Sequence, residues 1–270
     1  MRGLNAPFPD GNPPAWASEW GRDRYGAFAA FECDGVSQRM RWIPGGVFWM
    51  GSPDNEAGRW PDEGPRHEVE LTRGYWLGET PVTQALWSAV MESNPSHFAG
   101  PEHGAHPVEQ VSWNDCQEFI GRVNARVPGL WLRLPTEAEW ERACRGGTDG
   151  PTWLGANDAA NLDKIAWYDA NSGGRTHPVR QKAANSFGLY DVLGNVWEWC
   201  DDMLRTHEAV RTVDPYGVRG TYRVCRGGSW IWAARNTRAA YRLASVPSYR
   251  DTYLGLRVAG GQGLRSGGMQ

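Results

Sequence analysis

Apolar and polar residues succeed one another in short, often interrupted patterns. Residues 25–36 are weakly amphipathic, and residues 37–43 (SQRMRWI) alternate as a half-buried strand does. Pro44-Gly45-Gly46 predicts a turn, residues 47–50 a buried strand, 67–72 an alternating strand and 75–80 another short one. Residues 130–134 alternate again before Pro135, and 222–226 read as a strand after the turn at 214–217. Helical spacing occurs in three places. Residues 83–91 carry apolar positions 86, 87 and 90 behind Thr83, and residues 112–125 line up Cys116, Phe119, Ile120 and Val123 behind Ser112. The third, residues 136–144, opens with the capping box Thr136…Glu139.

Between these elements the chain is loop. Residues 1–24 are polar and Pro-rich, with Trp16 and Trp20, and read as an arm lying on a domain. Residues 54–66 hold Asp54, Glu56, Asp62 and Glu63 without the regular spacing of a calcium loop, so a solvated loop is expected. Residues 146–180 are irregular for more than thirty positions, which in a compact domain needs something to hold them. Asn157, Asp158, Asn161, Asp163, Asp169 and Asn171 offer hard oxygen ligands there, and turn formation explains the same letters. Residues 185–200 are too Gly-punctuated for a helix and too irregular for a strand; Asp191 and Glu198 supply carboxylates, and Gly194 lets the backbone bend.

Composition agrees with a loop-rich globular protein: 34 Gly, 18 Pro and 16 Trp in 270 residues, with 40% hydrophobic and 22% charged positions. A formal charge of −3 gives no long-range attraction to nucleic acid. The arginines sit beside Trp, Tyr or Gly, which suits either structural stacking and ion pairing or a ligand-facing cluster. The first residues lack the apolar core of a signal peptide and no run reaches membrane-spanning length, so a cytoplasmic address is expected. Cys33, Cys116, Cys144, Cys200 and Cys225 form no close pair, which argues for reduced, buried thiols. His103 and His106 could meet on a loop, but Pro107 follows and no third ligand is near in sequence; no HExxH, G-x-S-x-G or phosphate loop occurs. Near the C-terminus, small residues and arginines form a frame whose fillings are of mixed character, as a binding surface would be.

Six collinear stretches carry a resemblance: 44–52 (PGGVFWMGS), 79–87 (ETPVTQALW), 106–113 (HPVEQVSW), 132–143 (LRLPTEAEWERA), 187–200 (FGLYDVLGNVWEWC) and 226–259 (RGGSW…LGLRVA). They resemble the sulfatase-modifying-factor, or formylglycine-generating-enzyme, domain. The resemblance implies an α+β, C-type-lectin-like single domain over 25–260, with small antiparallel sheets, two main helices and a high loop content. An arm (1–24) and a flexible tail (261–270) would flank it. It also implies a structural Ca²⁺ at Asp191, Gly194, Val196 and Glu198. Oxidase members of the family hold Cu(I) through two cysteines, since soft thiolates are what that ion requires. The corresponding positions here are Trp232 and Thr237, so no copper and no oxidase chemistry are expected.

The C-terminal stretch is also similar to variable proteins of diversity-generating retroelements, which exchange residues between fixed frame positions. The frame is present as 227–230, Arg238 with Arg242, Pro247 with Arg250, and 254–257. The fillings expected at the surface are Ile231, Trp232, Ala234, Asn236, Leu243, Ser245, Val246, Ser248, Tyr249, Asp251, Thr252 and Tyr253. Trp232, Tyr249 and Tyr253 are rigid amphipathic anchors among small polar residues, suited to recognition. The expectation is a non-catalytic monomer that binds a protein or small-molecule ligand at this face. The alternative is an oxidoreductase or maturation enzyme of the formylglycine-generating type with a non-standard metal site.

Overall fold

The computed structural model describes residues 6–8 and 11–261; positions 262–270 of the expected tail, and the first residues of the arm, lie outside the described residues. A five-stranded antiparallel sheet, in the order β1-β2-β3-β6-β12, uses both ends of the described chain. Its strands are β1 (Glu19–Asp23), β2 (Gly26–Cys33), β3 (Val36–Ile43), β6 (Tyr75–Gly78) and β12 (Ala259–Gly260). A three-stranded sheet joins β4 (Gly46–Met50), β5 (His67–Leu71) and β8 (Thr212–Val213). A four-stranded sheet orders β10 (Arg242–Ser245), β9 (Arg223–Arg226), β7 (Trp197–Met203) and β11 (Leu254–Gly255), so the end of the 185–200 stretch is a strand where an irregular segment was expected. Two pairings, β11 with β7 and β5 with β8, are parallel, so the sheets are not wholly antiparallel as expected.

Helices α1 (Gln84–Met91) and α2 (Trp113–Arg126) begin at the predicted caps: Thr83 accepts from the Leu86 N–H and Ser112 from the Asp115 N–H. Their apolar stripes pack together, with Trp87 and Phe119 stacked at 5.0 Å. Helix α3 (Glu137–Arg145) has the Thr136–Glu139 capping box and ends at Gly146 in the left-handed conformation. A fourth helix, α4 (Ala159–Ile165), capped by Asp158, lies in the region read as irregular. Only Leu162 and Ile165 of its residues are buried apolar anchors, too few for a periodic signal.

Three further expectations are corrected. The arm does not run to residue 24, because residues 19–23 form the edge strand β1. Its charges suit an edge position: Glu19 pairs with Arg39 at 2.7 Å and Asp23 with Arg41 at 2.8 Å. Residues 47–50 are a strand, but as an edge strand β4 leaves Val47 and Trp49 exposed rather than buried. Residues 130–134 alternate in burial yet make one bridge only, Arg133 to Ala259. The Asn124 amide takes the place of a neighbouring strand there, donating to Leu132 O (2.8 Å) and accepting from Leu132 N–H (2.7 Å).

Candidate functional site

The C-terminal segment divides into residues that face inward and residues that face out. Four of the five frame arginines are inside, and the fifth, Arg250, is exposed and pairs with Asp115 at 2.7 Å. Arg226, Arg238 and Arg257 are fully buried and Arg242 nearly so. The antiparallel register of β9 and β10 sets Arg242 opposite Arg226, and both meet carboxylates on α3 one turn apart. Arg242 Nε lies 2.6 Å from Glu137 Oε1, and Arg226 pairs with Glu137 (3.4 Å) and with Glu141. Glu141 also binds Arg145 at 2.7 Å and the Gly51 N–H at 2.8 Å. Burial alone would raise the Glu137 carboxyl, but Arg242 and Arg226 outweigh it and hold the group at about 2. Arg238 reaches back to the predicted solvated loop, pairing with Glu63 (2.5 Å) and Glu56 (2.6 Å). Glu63 is fully buried, so that loop is part of the frame instead of being solvated throughout. Of the two readings of the arginines, structural ion pairing describes these four.

The GGSW turn needs its glycines. Gly227 and Gly228 have φ of +108° and +77°, and a Cβ on Gly228 would lie 2.9 Å from Thr237 Oγ1. Beyond the turn the fillings emerge. Ile231, Val246 and Ser248 are exposed; Trp232, Ala234, Leu243, Ser245, Tyr249, Asp251, Thr252 and Tyr253 are partly so. Asn236 is the exception. It is 5% exposed, and its side chain hydrogen-bonds to Tyr241, so it supports the face from below. Trp232, Leu243, Tyr249 and Tyr253 pack on one core cluster. Trp232 meets Tyr253 edge-to-face at 6.1 Å, and the Tyr249 and Tyr253 hydroxyls are 2.9 Å apart. Ala234 instead packs against the second cluster, where its carbonyl accepts from the Asn157 amide at 2.7 Å. The turn at 247–251 is tied down by Asn114 N–H to Pro247 O (3.3 Å) and Gln110 N–H to Asp251 O (3.0 Å).

Several residues of this region escaped the sequence reading. Tyr241 lies 6.4 Å from Trp232 and 6.4 Å from Trp60, which is 45% exposed. Trp197 sits beneath Trp232 and Tyr241, with ring centroids at 5.5 and 5.6 Å. Glu109, below the 247–251 turn, is fully buried; one oxygen accepts from the Phe98 N–H (2.8 Å) and Oε2 has no partner among the described residues. Burial pushes its carboxyl up to about 7. Its place in the HPVEQVSW stretch was the available signal.

The expected calcium positions fit that ion only in part. Both Glu198 oxygens are engaged: Arg257 Nη2 is 2.8 Å from Oε1, and Trp140 Nε1 donates to Oε2 at 2.6 Å. Asp191 is buried and, among the described residues, receives only the Arg180 N–H (2.7 Å) and the Asn195 amide (3.3 Å), with burial pushing it up to about 6. A buried carboxylate lacking a cation in hydrogen-bond contact is one a hard dication would stabilise. Gly194 bends the backbone here with φ +77°, and a Cβ would come 2.3 Å from Trp167 O. Val196, on the same turn, is buried. The oxygen-rich residues of 146–180 serve as caps and turns: Asp158 caps α4, and Asp163 accepts from the Tyr168 hydroxyl and the Asn171 amide, each at 3.0 Å. At the positions where copper would need thiolates, Thr237 is buried and Trp232 is part of the aromatic face. All five cysteines are buried and unpaired, and burial raises the thiols of Cys116, Cys200 and Cys225 well above their usual range.

The family model described as Sulfatase-modifying factor enzyme 1-like domain matches residues 28–261. The formylglycine-generating enzyme of Streptomyces coelicolor is 31% identical, over 83% of this chain and 90% of its own length. Among solved structures, Treponema denticola variable protein 1 is similar with a TM-score of 0.78 and 32% identity, covering 86% of this chain and 98% of that one. PvdO from Pseudomonas aeruginosa is similar with a TM-score of 0.73 and 26% identity, covering 91% and 99%. No described helix is long and apolar enough to cross a membrane.

Proposed function

The chain belongs to the sulfatase-modifying-factor enzyme 1-like family and has its C-type-lectin-like fold, and on that premise we propose that it is a non-catalytic ligand-binding protein whose recognition surface is the segment at about 230–256. One observation carries the reading. Within this segment four of the five arginines that repeat as a frame are buried in ion pairs, Arg250 being exposed and paired with Asp115, while eleven of the twelve fillings reach the surface. A scaffold built this way keeps its fold when its outward residues change. The likeness to Treponema denticola variable protein 1 supports the finer reading that the fillings are exchanged by a retroelement. Sequencing around the coding region tests that part: a degenerate copy of the segment beside a reverse-transcriptase gene supports it, and absence of both removes it.

The non-catalytic half is tested with Cu(I) and a cysteine-containing peptide under oxygen. Neither tight, thiol-dependent copper binding nor peptide oxidation is expected, because Trp232 and Thr237 offer no thiolate. Turnover would restore the enzyme reading. In the same proposal a structural Ca²⁺ is held by Asp191 with the backbone carbonyls of Gly194 and Val196, while Glu198 remains committed to Arg257. Chelation is then expected to lower the melting temperature by several degrees; an unchanged melt would remove the ion. The protein is proposed to act as a cytoplasmic monomer on a protein or small-molecule ligand, with no part for nucleic acid or membrane.

A further inference from the structure

The polarity of the face follows from a count of protons. The Tyr249 hydroxyl donates to Asp251 Oδ2 at 2.6 Å and has no second proton to give. The contact at 2.9 Å between the Tyr249 and Tyr253 hydroxyls therefore has Tyr253 as donor. Both protons point along the chain Tyr253 to Tyr249 to Asp251, so the unused sites on both phenol oxygens are lone pairs. The other Asp251 oxygen accepts from the Thr252 N–H (2.7 Å) and hydroxyl (3.3 Å), and no arginine or lysine pairs with Asp251 among the described residues. Nearby arginines are already committed: Arg250 to Asp115 at 2.7 Å, Arg242 to Glu137 and Arg238 to Glu63. Exposed Arg235 lies against Gly58, outside this chain of hydroxyls. Acceptors, an uncompensated carboxylate and the π-faces of Trp232 and Tyr253 all attract one kind of group.

Building on the reading of 230–256 as the recognition face, we propose that the face takes an organic cation from its ligand: an alkylammonium group held by the rings of Trp232 and Tyr253 beside Asp251. A neutral group of the same shape would gain the apolar contact without the charge attraction. An anion would meet Asp251 and the outward lone pairs.

Choline is the probe, with 3,3-dimethylbutan-1-ol as its neutral isostere and isethionate as an anion. Binding is followed by the indole N–H signals in heteronuclear NMR, with Trp232 assigned through Trp232→Phe. Choline is expected to saturate at about millimolar concentration, with the isostere roughly tenfold weaker, the range of a desolvated cation–π contact. Asp251→Asn is expected to weaken choline about tenfold. Tyr249→Phe, which keeps the ring and removes the relay, is expected to weaken it a few-fold, with near-ultraviolet circular dichroism confirming the fold of each variant. Equal or tighter binding of the isostere or of isethionate at Trp232 would overturn the cation and leave the face standing. If none of the three probes moves the Trp232 signal, the cation and the face are both overturned.

Discussion

Arg238 and Ser248 stand ten positions apart in one segment and are expected to respond to substitution in opposite ways. Removing the Arg238 side chain leaves Glu63 buried and unpaired, so Arg238→Ala should cost about 3–5 kcal/mol, the usual result of breaking one side of a buried pair. Ser248→Ala, at an exposed position, should stay within about 0.5 kcal/mol. Urea unfolding of the two variants measures the contrast, and similar losses would mean that the frame and the fillings are not distinct. Residue identity alone left both readings of the arginines open, because Arg beside Gly or aromatic residues serves either purpose. The carboxylates that decide it lie far off in sequence, at Glu56, Glu63, Glu137 and Glu141. Asn236 was misread for a related reason: a polar filling between frame positions looks exposed until Tyr241 is placed above it.

Helix α3 holds two arginines of the C-terminal segment, and its start depends on Thr136. Thr136→Ala removes the cap on the Glu139 N–H and should cost about 1 kcal/mol. A larger thermal shift would indicate that Glu137 and Glu141 lose their alignment with Arg226 and Arg242. This element was legible beforehand, as were α1 and α2, because cap and apolar stripe coincide in local sequence. Where long-range contacts decide, the pattern fell short. Residues 130–134 alternate like a strand, but a side-chain amide from α2 takes the partner's role. Helix α4 is held by its Asp158 cap and two buried side chains inside a polar run. In the candidate site, the anchors Trp232, Tyr249 and Tyr253 were visible in the letters. Trp60 and Glu109 were not, since each reaches the region from a different part of the chain, and Tyr241 stands between two frame arginines, where the letters do not separate it from the frame.

The whole molecule should show a distinctive response to pH. Burial, aided by neighbouring cations, holds His207 at about 3 and His106 at about 4, so each loses native stability as pH falls from about 6.5. Burial holds the carboxyls of Asp202 and Glu109 at about 7; these gain native stability over the same descent, down to about 4. Asp191, pushed by burial up to about 6, adds to the gain, and His177, lowered by burial, adds to the loss, so the two signs largely cancel and the melting temperature should change little between about pH 6.5 and 4.5. Below about pH 4 the balance ends, because Glu137 holds its proton off to about 2 and its contribution is lost as the pH falls toward that value. A steep fall is expected there. A steady decline from neutrality, followed by calorimetry, would show that the histidines dominate.

The last strand described, β12, closes the five-stranded sheet beside β6, and the segment before it sends Arg226, Arg238, Arg242 and Arg257 into the interior. The variable-looking face therefore cannot be cut out and carried elsewhere as a peptide, since its shape is borrowed from partners up to 182 residues away. Grafting would have to transplant the domain. A library that randomises the fillings and spares the arginines would be inherited as a set of folded proteins, whereas one that includes the arginines would be lost to the cell's proteases before any ligand could select from it.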